Sequence, residues 1–166
     1  MKEYIDQLES TGNYRVIKRL KDETFYNDDD SSEKKIAIFL DTETTGINFE
    51  NDEIIELGMV AFEFNSETGK IFKILETFNE LEQPTIEISK EASEVNGITM
   101  DMVKGHKIND NEVEDFISNA VIILAHNAKF DRHFVEKRFP FFENTHWGCS
   151  IKDVSWHENG LKKNAK

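Results

Sequence analysis

The chain has 166 residues, 32% of them charged and 38% hydrophobic, which predicts one soluble globular domain and leaves no apolar run long enough to span a bilayer. Cys149 is the only cysteine, so an internal disulfide and a Cys-rich zinc site are excluded; with no apolar leader after Met1, a reducing, cytoplasmic setting is expected. The net charge of −13 argues against a tight, unaided grip on duplex DNA, whose affinity comes from neutralising phosphates, but it is compatible with a site that works through bound cations.

Residues 1–34 read as an N-terminal extension and residues 35–166 as the main domain. Lys2 to Ser10 predicts a short helix, with Tyr4, Ile5 and Leu8 at helical spacing, broken by Gly12-Asn13. Tyr14 to Leu20 alternates like a strand. Lys21 to Lys35, with Asn27-Asp-Asp-Asp-Ser-Ser-Glu33, reads as a solvated acidic linker. Ile36-Ala-Ile-Phe-Leu40 is an unbroken apolar run, the signature of a strand covered on both faces in an α/β sheet. It ends in Asp41-Thr-Glu43-Thr-Thr-Gly46. Ile54 to Phe64 predicts a long strand, Asn65 to Gly69 a hairpin turn, and Lys70 to Phe78 the returning strand. Beyond Pro84, Ser89 caps a short helix stopped by Asn96-Gly97, Thr99 caps a second that Gly105 ends, and Asp110 to Asn119 forms a third. Ala120 to Ala125 is a second central strand, opening into a helix over His126 to Val135 with Phe130, Phe134 and Val135 turned inward. His146 to Ser150 closes an edge strand, and Ser150 is placed to cap a last helix through Trp156.

The chemistry concentrates at two strand ends. Asp41 and Glu43 are two apart, so an extended chain projects both carboxylates to one face. Like charges held side by side raise each other's pKa unless a cation lies between them. Hard oxygen donors on a rigid strand suit Mg²⁺ or Mn²⁺ better than zinc. Asp131 follows the second apolar strand. If the two strands are neighbours, three carboxylates converge outside the carboxyl ends of a sheet, where α/β folds place their sites.

Phe39-Leu-Asp41-Thr-Glu43-Thr-Thr-Gly46 resembles the first motif of the DnaQ-like (DEDD) 3′–5′ exonucleases, the family of the epsilon-type proofreading subunits of bacterial DNA polymerase III. Ala125-His-Asn-Ala-Lys-Phe-Asp131 resembles the second motif, and Val95-Asn-Gly-Ile-Thr-Met-Asp-Met-Val103 the segment before it. The resemblance implies a ribonuclease-H-like mixed α/β sheet flanked by helices and a pair of Mg²⁺ or Mn²⁺ ions. It implies Asp41, Glu43 and Asp131 as metal ligands, with Thr44, Ile47 and Phe130 against the terminal nucleotide. Its substrate would be a single-stranded or frayed DNA 3′ end. A DNA polymerase subunit is the protein partner it suggests.

The family's third motif, a His with an Asp five residues on, is not found. His133, His146 and His157 have Arg138, Ile151 and Lys162 at that position, while His126 and Asp131 belong to the second motif. The tyrosine variant matches only Tyr26 and Asp30, ahead of the first motif. The expectation is a domain missing its C-terminal part, holding one ion in place of two and turning over weakly or not at all. Loss of a general base costs roughly 10²–10⁴-fold. An RNA-trimming exonuclease of the same superfamily and a non-catalytic nucleotide- or polymerase-binding fragment are the alternative readings. Among other candidates, His126 reads as a loop-ordering residue, His157 as a solvated histidine, Trp147 as buried, Cys149 as a structural thiol and Asp153 as remote from the acids; Trp156 is left open.

Overall fold

A computed structural model describes residues 2–16, 21 and 23–158. Its elements are α1 (Lys2–Ser10), β1 (Lys35–Thr44), β2 (Ile54–Phe64), β3 (Ile71–Leu81), α2 (Lys90–Asn96), α3 (Met100–Val103), α4 (Asp110–Ile117), β4 (Ala120–Ala125), α5 (Lys129–Arg138), a 3₁₀ turn at Pro140–Asn144, and β5 (Trp147–Cys149). The five strands form one mixed sheet in the order β3-β2-β1-β4-β5. The first three strands form an antiparallel meander, whereas β4 lies parallel to β1 and β5 parallel to β4. The two apolar runs singled out in the sequence are therefore neighbours at the middle of the sheet. This is the ribonuclease-H-like α/β architecture.

Alternation along β1 sorts its side chains. Ile38, Leu40 and Thr42 turn toward the helices and are buried, while Phe39 and Asp41 turn the other way and are exposed. On the helix side the core joins Ile38, Leu40, Leu57, Met59 and Ile123 to Val113 and Ile117 of α4 and Phe134 and Val135 of α5, closed by Phe139 and Phe142. On the other side Phe39 stacks on Phe62 at 4.9 Å, beside a shallow apolar depression bordered by Phe64, Ile71, Val121 and Leu124. A smaller cluster of Ile55, Ile98 and Val103 seats α3 and the residue before Thr99 against the start of β2, beside the end of β1. Among the described residues, no helix is long and apolar enough to cross a membrane.

Four local expectations are corrected. The helix after β4 starts at Lys129, not His126, because Asn127 takes a left-handed φ of 62° and makes His126 to Ala128 a turn. Ser150 does not cap a helix: residues 151–158 form successive turns, with Asp153 Oδ2 accepting from the Cys149 amide (2.7 Å) and Trp156 Nε1 donating to the Ser150 carbonyl (2.5 Å). The acidic linker is not wholly free of the sheet. The Tyr26 amide donates to the Phe72 carbonyl (2.8 Å) and the Ile74 amide to the Thr24 carbonyl (2.8 Å), so Thr24 to Tyr26 lies along the outer edge of β3. In the stretch expected to be an N-terminal strand, Tyr14 to Val16 has no strand pairing, and Ile17 to Leu20 lies outside the described residues.

Candidate active site

The upper end of β1 is where the sheet opens. Its pairing with β2 continues through Asp41↔Gly58, Thr42↔Leu57 and Glu43↔Glu56, but its pairing with β4 ends at Phe39↔Leu124. Beyond that point one edge of β1 has no strand beside it. The first turn of α5 fills the gap, placing Asp131 there at 2% exposure. The Thr42 amide and the Thr42 hydroxyl both donate to Asp131 Oδ1, at 3.0 and 2.9 Å. The third acid is thus fastened to the residue between the other two.

The Asp41 charge bears on each of the other two carboxylates. Although Asp41 stands on the open face, partial enclosure of its carboxyl, then the Glu56 charge, raises it above the usual carboxylate range, against an opposing pull from His126. Burial and the Asp41 charge raise Glu43, opposed by a hydrogen bond from the Asn96 side chain. Asp131 is pushed up to about 6, chiefly by burial and further by the Asp41 charge, although its bonds from Thr42 favour the ionised form. Such a set is strained by its own negative charge, and a divalent cation relieves it. The donors are all hard oxygens, which fits Mg²⁺ or Mn²⁺. Among the described residues, however, no three His, Cys, Asp or Glu side chains stand close enough together to enclose an ion as placed.

The loop after β1 is tied down at several points. The Thr44 hydroxyl donates to the Gly46 carbonyl (2.5 Å), the Thr45 hydroxyl to Asp52 Oδ1 (2.8 Å) and the Asn48 amide to Asp52 Oδ2 (2.8 Å). Lys137 of α5 donates to the carbonyls of Glu50 and Asp52, both at 3.0 Å. Helix α2 is brought alongside by the Ser89 amide, which donates to the Thr45 carbonyl (3.0 Å), and is capped by the Ser89 hydroxyl on the Ala92 amide. Of the residues expected to touch a nucleotide, Thr44 is buried in this turn, Ile47 is 83% exposed, and Phe130 is half-buried with its ring 4.9 Å from that of Phe134. His126 Nδ1 pairs with Ser150 Oγ at 2.7 Å, the loop-ordering role read from the sequence.

Two features escaped the sequence reading. The segment from Val95 stands out in the sequence but its contact does not: Asn96, at the end of α2, hydrogen-bonds Glu43, and the neighbouring Val95 is 87% exposed. Glu56 lies directly across from Glu43 on β2 and contributes to the raised pKa of both Asp41 and Glu43. Its presence there follows from strand register alone.

The family model for exonucleases (RNase_T) matches residues 38–155. A PolC-type DNA polymerase III from Thermotoga maritima is 33% identical over 122 residues, which is 72% of this chain and 8% of that protein. The DNA polymerase III epsilon subunit of Treponema pallidum is 36% identical over 97 residues, 57% of this chain and 42% of that protein. The chain therefore spans less than half of these curated relatives. Among solved structures, Exonuclease X in complex with 5′-overhanging duplex DNA superposes with a TM-score of 0.53 at 26% identity, covering 78% of this chain and 68% of that one. Escherichia coli Exonuclease I shares the fold with a TM-score of 0.56 at 18% identity, covering 70% of this chain and 28% of its own. With the family's profile running from the first central strand past the edge strand, and with the carboxylates at the junction of β1 and α5, the chain belongs to the exonuclease family.

Proposed function

We propose that this chain is a divalent-cation-dependent 3′–5′ exonuclease domain that trims single-stranded or frayed DNA ends, in association with a DNA polymerase. The observation that carries this reading is geometric: Asp41 and Glu43 lie two apart at the open end of β1, and Asp131 is fastened by two hydrogen bonds to Thr42 between them, in a chain of the exonuclease family. Asp41 and Glu43 would hold the cation, Mg²⁺ or Mn²⁺, with Asp131 at its flank; bound there, it would offset the phosphate charge and favour ionisation of the attacking water. The net charge of −13 makes such neutralisation a condition of binding any nucleic acid. Ile47 and Val95 expose apolar surface on the two segments that border Glu43, which suits contact with an unpaired terminal base. Hydrolysis would add water across the last phosphodiester, releasing a nucleoside monophosphate and a strand shortened by one residue.

The test is a 5′-labelled single-stranded DNA oligonucleotide incubated with the chain and Mn²⁺. A ladder shortened from the 3′ end that disappears in Asp41→Ala supports the reading. No cleavage, or cleavage unchanged in Asp41→Ala, overturns it. The same assay on an RNA oligonucleotide separates a DNA-trimming from an RNA-trimming enzyme.

A further inference from the structure

We infer that Glu56 is a further acidic member of the cation site, acting on the ion through a bound water from the strand opposite Asp41 and Glu43; this rests on the cation-dependent reading above. The register is what places it. Glu43 and Glu56 are cross-strand partners on β1 and β2, so their side chains leave the sheet on the same face, and Asp41, two residues before Glu43, shares that face. Asp131 reaches β1 differently, at the strand edge, through Thr42, whose side chain points toward the helices. The acids standing on one surface are therefore Asp41, Glu43 and Glu56.

Two glutamates directly across an antiparallel pair repel, and such pairs are destabilising in ordinary sheets. Here the arrangement is also held in place. Asn79 of β3 donates its amide to Glu56 Oε1 at 3.0 Å, linking the outer strand to the carboxylate. That bond fixes one oxygen of the half-buried carboxylate, and among the described residues Oε2 accepts no hydrogen bond. Opposite Asp41 the partner is Gly58, which adds no side chain of its own beside that acid; the Asn79 side chain leans over it, its Oδ1 3.3 Å from where a Cβ would lie. Mg²⁺ and Mn²⁺ sites keep several waters, and the groups that orient those waters shape affinity nearly as much as the direct ligands do. A carboxylate one strand away from two direct ligands is suited to that task. It needs no closer approach of three acids than the structure shows.

The experiment is a Mn²⁺ titration followed by electron paramagnetic resonance on wild type, Glu56→Gln and Asp41→Asn, with melting curves of each in chelator. Glutamine keeps the acceptor for Asn79 and removes the charge. The expected result is Mn²⁺ binding weakened roughly 10- to 100-fold in Glu56→Gln, abolished in Asp41→Asn, and a metal-free melting temperature in Glu56→Gln at or above that of wild type. If Glu56→Gln binds Mn²⁺ as wild type does while Asp41→Asn does not, the role of Glu56 is overturned and the cation site stands. If Glu56→Gln melts lower without metal, the residue is structural and the inference also fails. If wild type itself binds no Mn²⁺, both the inference and the reading beneath it fall.

Discussion

Thr42 and Asp131 are 89 positions apart, yet two hydrogen bonds from one residue converge on a single oxygen of the other. The pair is the joint between the central strand and α5. It also sets the ionisation of the acid, because both donors favour the charged carboxylate while burial opposes it.

Replacing Thr42 with valine removes the hydroxyl donor and keeps the shape. The Asp131 carboxyl should then titrate higher than its present value of about 6, since one of the bonds stabilising the anion is gone. Carboxyl-carbon NMR of wild type and Thr42→Val in chelator reads this directly. An unchanged or lower titration midpoint would contradict the geometry. The loss of a bond to a charged group should also cost about 1.5–3 kcal/mol at neutral pH.

Asp131→Asn has a pH-dependent consequence whose sign follows from linkage. The folded chain holds the Asp131 proton up to about pH 6, whereas the unfolded chain releases it near 3.8. Between those values the native state binds more protons, so this residue's contribution to stability falls as pH rises through the window. Asparagine lacks that loss. In chelator, the variant should match wild type near pH 4 and exceed it above pH 6 by on the order of 3 kcal/mol. Denaturant melts at several pH values measure the gap; one that stays flat, or shrinks with rising pH, would refute the assignment.

Gly46→Ala should disturb the turn that follows the acids. A methyl group there would lie 2.5 Å from Asp52 Oδ2 and 2.8 Å from its Cγ. Asp52 cannot simply swing aside, because it accepts from the Thr45 hydroxyl and the Asn48 amide. Overpacking of this kind costs about 1–3 kcal/mol. Thermal melts should show the loss, and Gly46→Ala combined with Asp52→Ala should cost less than the sum of the two single costs, because the second removes the side chain the methyl group meets.

Arg138 anchors the other end of α5. Its guanidinium donates to both oxygens of Glu82 at 2.9–3.1 Å and to Asp110 at 2.9 Å, and lies 4.3 Å from the centre of the Phe139 ring. Lysine cannot reproduce the two-pronged contact. Arg138→Lys should lower stability by about 1–3 kcal/mol, and Glu82→Gln in that background should add little. Additive losses in a double-mutant cycle would show that the two do not act as a pair.

The strands were legible because their signals are local. The apolar run at Ile36 to Leu40 and the pattern from Ile54 to Phe64 carry their own periodicity, and Ser89 and Gly97 bracket α2 as cap and left-handed stop. The failures share a different cause. The start of α5 depended on Asn127 adopting a left-handed backbone, which the apolar pattern around it does not encode. The contact of Thr24 to Tyr26 with β3 is made by main-chain groups, so no side-chain pattern announces it. Asp153 ended a turn by accepting from the Cys149 amide, a use of aspartate that reads the same in sequence as a helix body. Asp41, Glu43 and Asp131 stood out because each follows an apolar run. Glu56 lies inside a strand and gains meaning only from what faces it across the ladder.

The early end of β4 leaves the Thr42 backbone nitrogen with a carboxylate where a neighbouring strand would otherwise supply a carbonyl. Solvent exchange at that one position therefore tracks how firmly the first turn of α5 is seated against the sheet. Deuterium uptake at residue 42 becomes a label-free gauge of the joint, readable in the unmodified protein and sensitive to anything that draws Asp131 away.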